Sequence, residues 1–233
     1  MLAQRTPLSN PLATNYNGQA VALKVCGMKH AKNMEDVALL SPHYMGFIFW
    51  EPSKRYFNTS LGNITEGIIK TGVFVDASVA NIIDVVNTYQ LGAIQLHGKE
   101  SPEFCKDIKN ALVASSEENK DIQLIKVFSI KDDFDFKQLS PFEEVCDFFL
   151  FDTKGKLPGG NGYTFSWEVL KDYPSTKPYF LSGGIGLEEV TKIKTFLQQP
   201  ESTYCYAIDV NSKFEMEPGL KNSTAIQEFI AAF

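Results

Sequence analysis

Histidine and tryptophan are scarce in this 233-residue chain, which has three of the first and two of the second. His30, His43 and His97 do not gather with acids or cysteines at metal-ligand spacing, which disfavours a metal hydrolase. The four cysteines, at 26, 105, 146 and 205, form no Cys-x-x-Cys pair. They read as free thiols in a reducing compartment rather than as a disulfide framework. No apolar run approaches the ~20 residues that span a bilayer. The first twenty residues lack the apolar stretch of a secretory signal. There is no strongly basic block and the net charge is −6, which argues against nucleic acid as a partner. An anionic small molecule stays open, because helix ends and a few cations attract one whatever the global sign. These absences lead us to expect a cytoplasmic protein with neither a membrane nor a nucleic-acid partner.

What is present is ample apolar side chain, 44% of residues, enough for one sizeable core. Residues 1–20 are polar, with Pro7 and Pro11, and read as a disordered extension ahead of a single domain over 21–233. Strand-like runs recur at 23–27, 44–50, 70–76, 93–98, 123–130, 147–153, 178–185 and 204–210. Several are continuously apolar, as in Gly46-Phe47-Ile48-Phe49 and Phe148-Phe149-Leu150-Phe151, and fit a parallel sheet covered on both faces. Between them lie amphipathic helical segments. Ser78 caps one over 78–89, with Val79, Ile82, Ile83 and Val86 on one stripe. Ser101-Pro102-Glu103 opens another with a cap, an early proline and an acid. Residues 187–197 and 225–232 also read as helices, whereas 131–141 predicts a short or irregular one. Alternating β and α segments call for parallel strands with right-handed crossovers. An open doubly wound sheet is the alternative. Eight strands with polar residues at so many of their ends favour an α/β, single-domain (βα)8 TIM barrel, with a monomer as the default state.

A barrel collects its strand ends at one mouth, so the residues there are the candidates for chemistry. Cys26 ends the first strand between Lys24 and Gly27, the only cysteine in such a context. Asp152 ends the apolar 147–153 strand, where desolvation suits a carboxyl to general-acid work. Ser182-Gly183-Gly184 lets backbone N–H groups approach a phosphate with a helix behind them. Asp209-Val210-Asn211-Ser212 ends the last strand, and barrels often bind phosphate between loops seven and eight. Arg55, just after strand two, could fork onto a carboxylate. Gln95 and His97 share one strand face and could position a substrate. The glycine-rich loop over 154–162 could close over the mouth.

Seven motifs in order carry a resemblance over nearly the whole chain from Leu23 onward. They are Lys24-Val25-Cys26-Gly27; Gly46-Phe47-Ile48-Phe49 with Ser53-Lys54-Arg55-Tyr56; Gly72-Val73-Phe74-Val75; Gln95-Leu96-His97-Gly98; Phe151-Asp152-Thr153 with Gly159-Gly160-Asn161-Gly162; Phe165-Ser166-Trp167; and Leu181-Ser182-Gly183-Gly184. With these the chain resembles the phosphoribosylanthranilate isomerase family of tryptophan biosynthesis. The resemblance implies a cofactor-free, metal-free Amadori rearrangement of a phosphorylated small molecule. In it Asp152 would be the general acid, Cys26 the general base and Arg55 the anchor of the substrate carboxylate. Gln95 and His97 would position the substrate, and Ser182, Gly183, Gly184, Asp209, Asn211 and Ser212 would bind its phosphate. Leu187, Glu189, Lys213 and Asn222 depart from the family's commonest pattern without touching Cys26, Asp152 or Arg55. The nearest rival, the histidine-pathway Amadori enzyme, would carry an Asp where Cys26 stands and an internal half-barrel repeat. A catalytically idle, metabolite-binding barrel is the rival of another class.

Overall fold

A computed structural model describes residues 8–130, 134–153 and 166–233. Eight strands form its core: β1 (Ala20–Val25), β2 (Tyr44–Ile48), β3 (Ile69–Phe74), β4 (Ala93–Leu96), β5 (Gln123–Ile130), β6 (Phe148–Thr153), β7 (Tyr179–Leu181) and β8 (Cys205–Val210). Each pairs in parallel with the next. The sheet closes where β8 returns to β1, from Ala22 opposite Ala207 to Val25 opposite Val210. This is the expected barrel, and its closure rules out the open sheet.

Five α-helices among the described residues cover the outside: α1 (Ala31–Ala38), α2 (Val79–Tyr89), α3 (Pro102–Ser115), α4 (Val190–Leu197) and α5 (Ser223–Ala231). The helix starts are where the sequence signals lie. The Ser78 and Ser101 hydroxyls accept hydrogen bonds from Asn81 N and Phe104 N, both at 3.2 Å, using donors that a helix cannot satisfy internally. The described part of the weak 131–141 region holds a 3-10 turn over Phe136–Phe142, with Pro141 inside it, and residues 131–133 lie outside the described residues. Residues 49–68, which hold Pro52, Gly62 and Gly67, run from β2 to β3 with no helix. There Phe49 and Phe57 pack against Tyr89 of α2, with ring centroids 5.2 and 5.4 Å away, and cover that side of the barrel instead. No described helix is long and apolar enough to cross a membrane.

Strand alternation divides the core in two. Val21, Leu23, Val25, Met45, Phe47, Phe74, Ile94, Leu96, Phe149, Phe151, Ile208 and Val210 face the helices. Ala22, Tyr44, Ala93, Ile125, Phe148, Leu150, Phe180 and Ala207 form a separate inner cluster. The Tyr44 ring stands edge-on to Phe180 at 5.2 Å and its hydroxyl donates to Gln123 Oε1 at 2.8 Å, so the lower barrel is filled by packed rings.

Residues 8–20, expected within a disordered extension, instead seal the floor of the barrel. Leu8 packs on the inner cluster, Leu12 is buried in the outer one, and Ala13–Thr14 pairs antiparallel with Ala20 and Val21. The Asn15 amide donates to the carbonyls of Thr203 at 3.0 Å and Cys205 at 3.3 Å. Two leucines and one well-placed amide outweigh the polar composition of the segment. The rest of that expectation, residues 1–7, lies outside the described residues.

Replacing the fully buried Phe180 by alanine removes a ring held edge-on by Tyr44 and Phe148. We expect Phe180→Ala to lose about 3–5 kcal/mol of stability in urea unfolding. A loss below about 1 kcal/mol, far under the large-to-small range, would show that the inner rings do not pack in this way.

Candidate active site

The inward parity of each strand continues past its C-terminal end. Ala22 leads to Lys24 and Cys26 on β1, Ala93 to Gln95 and His97 on β4, and Leu150 to Asp152 on β6. Phe180 leads to Ser182 on β7, and Ala207 to Asp209 and Asn211 on β8. The apolar inner cluster thus ends in a polar and titratable layer at the mouth. β6 stands three strands from β1 around the closed sheet, so Asp152 and Cys26 reach the mouth from separate sides.

Cys26 is buried, and its N–H donates to Val210 O at 2.9 Å. Two glycines make its place. A Cβ on Gly46 would stand 2.7 Å from Cys26 Sγ. Gly27 has φ +79°, and a Cβ there would stand 2.7 Å from Asn211 Oδ1 and 2.8 Å from Arg55 Cδ. Around the thiol lie buried ion pairs. Lys24 Nζ donates to Asp209 Oδ1 at 2.8 Å, and Asp209 Oδ2 accepts from Ser182 Oγ at 3.0 Å. Lys221 Nζ donates to Glu215 Oε1 and Asn211 Oδ1, both at 2.7 Å. Arg55 forks onto Glu215, with Nε donating to Oε1 at 2.8 Å and Nη2 to Oε2 at 2.6 Å.

Burial pushes the Cys26 thiol above its ordinary 9.0, and the ammonium groups of Lys24 and Lys221 pull against that shift. Burial also disfavours the Lys24 ammonium, but Asp209 and Cys26 outweigh it and hold Lys24 above its usual range. Glu215 is the mirror case: burial would raise its carboxyl, and Arg55 with Lys221 holds it below 4.5. The set contains three cations, Lys24, Lys221 and Arg55, and two carboxylates, Asp209 and Glu215. One negative charge on Cys26 would balance it.

His97 and Asp152 pair across the other side of the mouth, Nε2 to Oδ2 at 3.5 Å, with side chains 36% and 30% exposed. Gln95 is buried, and its Oε1 has no hydrogen-bond partner among the described residues. Gly183 and Gly184 take φ of +93° and +70°, a left-handed step that glycine alone adopts without strain. They lead through a 3-10 turn, Leu187–Glu189, into α4. Ser212 opens the 3-10 turn Ser212–Phe214 after β8. Lys213, at that turn, donates to Glu188 Oε1 at 2.7 Å and so joins the loops after β7 and β8.

The structure therefore links Cys26, Arg55, Ser182, Asp209 and Asn211 through shared contacts, and sets His97 with Asp152. The 154–162 loop lies outside the described residues. Glu215 and Lys221 did not stand out in the sequence as site residues. Lys24 did carry a signal: a lysine two residues before Cys26 on a strand must share its inward face. Lys221 carries none, since it sits in a two-residue strand, Leu220–Lys221, with no periodicity to read.

A closed parallel barrel with titratable groups converging at the carboxyl ends of its strands defines a (βα)8-barrel enzyme. Residues 23–232 match the family model described as N-(5'phosphoribosyl)anthranilate (PRA) isomerase, and the chain belongs to that family, an isomerase family of tryptophan biosynthesis. The N-(5'-phosphoribosyl)anthranilate isomerase of Parabacteroides distasonis is 37% identical over 214 residues, covering 89% of this chain and 91% of the relative. The crystal structure of the Thermotoga maritima isomerase aligns with a TM-score of 0.73 at 28% identity, over 91% of this chain and 98% of its own. A further isomerase structure, in complex with reduced 1-(o-carboxyphenylamino)-1-deoxyribulose 5-phosphate, aligns at 0.71 and 26% identity, over 91% and 97%.

Because the fold lowers the Glu215 pKa, the unfolded chain binds more protons there as pH falls. Its contribution is complete above its ordinary 4.5 and disappears as pH drops through the lowered value. The stability gap between wild type and Glu215→Gln should therefore narrow on acidification below pH 4.5. A constant gap in urea titrations across that range would show that Glu215 is not held as a carboxylate by Arg55 and Lys221.

Proposed function

We propose that this chain converts N-(5-phosphoribosyl)anthranilate into 1-(2-carboxyphenylamino)-1-deoxyribulose 5-phosphate, with Asp152 as general acid and Cys26 as general base. The observation that carries this reading is the balance of charge at Cys26: three cations and two carboxylates beside one inward thiol, with a carboxyl entering from another strand. Family membership supplies the substrate, and the residues supply the division of labour.

Asp152 donates a proton to the furanose ring oxygen as the C1–O bond breaks, and the anthranilate nitrogen lone pair forms the C=N bond of a Schiff-base cation. Cys26 first gives its thiol proton up to solvent and, as a thiolate, then takes the proton from C2. The C2–H electrons become the C1=C2 bond of an enolamine, and nitrogen recovers its lone pair. Tautomerisation moves the enol proton to C1 and leaves the ketone. One proton enters the substrate from Asp152 and one leaves it to Cys26, exchange with solvent resets both groups, and substrate and product are isomers, so no external oxidant or reductant is needed for balance and the reading takes neither cofactor nor metal. Separate strands for acid and base suit two proton transfers at different atoms of the sugar.

The remaining groups bind. Arg55 keeps an edge beyond the one bound to Glu215, and a guanidinium has donors enough for a second carboxylate. Gln95 offers a buried acceptor to a substrate hydroxyl, and His97 orients Asp152. Gly183, Gly184, Asn211 and Ser212 hold the phosphate with backbone and side-chain donors, together with the Ser182 loop. A carboxylate would repel that phosphate, so Asp209, already committed to Lys24 and Ser182, acts by fixing those two groups.

Loss of the substrate's anthranilate fluorescence, with the substrate made in situ, measures turnover. Cys26→Ala and Asp152→Asn should each cut kcat by about 100-fold or more. Near-wild-type turnover by either folded variant would remove that residue from the mechanism. Arg55→Met should act mainly on KM, and an unchanged KM would take Arg55 out of the site.

A further inference from the structure

Arginine has a long, rotamer-rich side chain, and holding it in one pose costs entropy unless something fixes it beforehand. Arg55 stands on the loop after β2, where no helix braces it. Its Nε edge is instead fixed by Glu215, which is itself immobilised from several directions. Glu215 belongs to the short strand Glu215–Glu217, paired antiparallel with Leu220–Lys221 so that Glu215 stands opposite Lys221. Lys221 Nζ donates to Glu215 Oε1 at 2.7 Å, and Gly219 N donates to the same oxygen at 3.1 Å. Lys221 is fully buried, and its backbone N–H donates to Asn33 Oδ1 at 2.7 Å, which ties the hairpin to α1.

We propose that Glu215 is the positioning residue for Arg55, set in turn by Lys221, so that the guanidinium presents its free edge to the substrate's carboxylate already oriented. The proposal rests on the reading that Arg55 takes that carboxylate. A bidentate fork on Glu215 fixes the plane of the guanidinium as well as its place, which a single hydrogen bond would not do. The same Lys221 ammonium holds Asn211 Oδ1 on the loop after β8, so the pose of Arg55 is registered against the phosphate side of the mouth. Glu215 never touches substrate in this arrangement, because both of its oxygens are taken by Arg55, Lys221 and Gly219.

A double-mutant cycle between Arg55→Met and Glu215→Gln tests this. With Arg55 present, Glu215→Gln should raise KM about tenfold or more, as expected on losing a hydrogen bond between charged groups, while kcat changes far less. In the Arg55→Met background, Glu215→Gln should raise KM no further. A full-size KM effect in that background, or an unchanged KM in a variant whose melting temperature falls, would overturn the proposal. If wild type shows no turnover, the reaction assigned above fails on its own. The same cycle, read by calorimetry with anthranilate as the carboxylate probe, still decides whether Glu215 acts through Arg55. Should Glu215→Gln not fold with two cations left facing each other, the Glu215→Gln/Lys221→Met double variant removes one charge of each sign and carries the same cycle.

Discussion

Burying an uneven set of charges beside one thiol is the constraint on which the mouth of this barrel depends. A lone buried charge is far too costly to keep, and an ion pair broken by removing one partner loses about 3–5 kcal/mol. Each carboxylate here therefore serves more than one donor: Asp209 takes Lys24 and the Ser182 hydroxyl, and Glu215 takes Lys221, Arg55 and the Gly219 amide. The surplus positive charge falls beside Cys26. Desolvation and that surplus act in opposite senses on the thiol, and desolvation prevails in the free protein. The result is a thiol that burial holds in its protonated form, beside a surplus of positive charge that would balance its anion. Gly46 and Gly27 follow from the same constraint, since a side chain at either would occupy the space that the thiol, Arg55 and Asn211 need.

Beneath this polar layer the barrel is filled by buried apolar and aromatic side chains. The rings of Tyr44 and Phe148 stand edge-on to Phe180, Tyr206 lies tilted against Phe148, and residues 8–20 close the floor. Low dielectric below and open access above give the electrostatic contacts their strength while leaving the site reachable. Stability is thus supplied at one end of the strands and chemistry at the other, the division that a barrel with packed layers permits.

This division also explains which features were legible in the sequence. Period-two strand patterns put Cys26, His97, Asp152, Ser182 and Asp209 at one end of the barrel without any coordinates, because parity and strand ends are properties of local sequence. Ser78 and Ser101 announced their helices because capping is local too. The helix-poor stretch 49–68 left no periodic trace to read. What could not be read were partnerships between distant segments: Lys24 with Asp209, Arg55 with Glu215, Glu215 with Lys221. A lysine on an inward parity position signals that some carboxylate must lie opposite, yet nothing local says which. The floor segment escaped for a related reason, since Leu8, Leu12 and Asn15 gain meaning only against the carbonyls of Thr203 and Cys205 and the underside of the inner cluster.

Of the four departures from the family's commonest pattern, three make local contacts and the fourth is exposed. Asn222, where an aspartate is usual, accepts from Ala225 N at 3.1 Å and caps α5, a task for which either side chain serves. Glu189 accepts from Gly186 N at 2.7 Å and fixes the turn just after the glycine pair. Leu187 begins that turn, and its side chain is exposed, so it places no demand on the site. Lys213 replaces a flexible glycine, which ought to stiffen the loop, and its ammonium reaches Glu188 rather than the mouth. That pair crosses from the loop after β7, which carries the Gly183–Gly184 step, to the loop after β8. On the proposed reading, a phosphate cradle made largely of backbone would tolerate such exchange, whereas Cys26, Asp152 and Arg55 would act through side-chain atoms that no neighbour can replace.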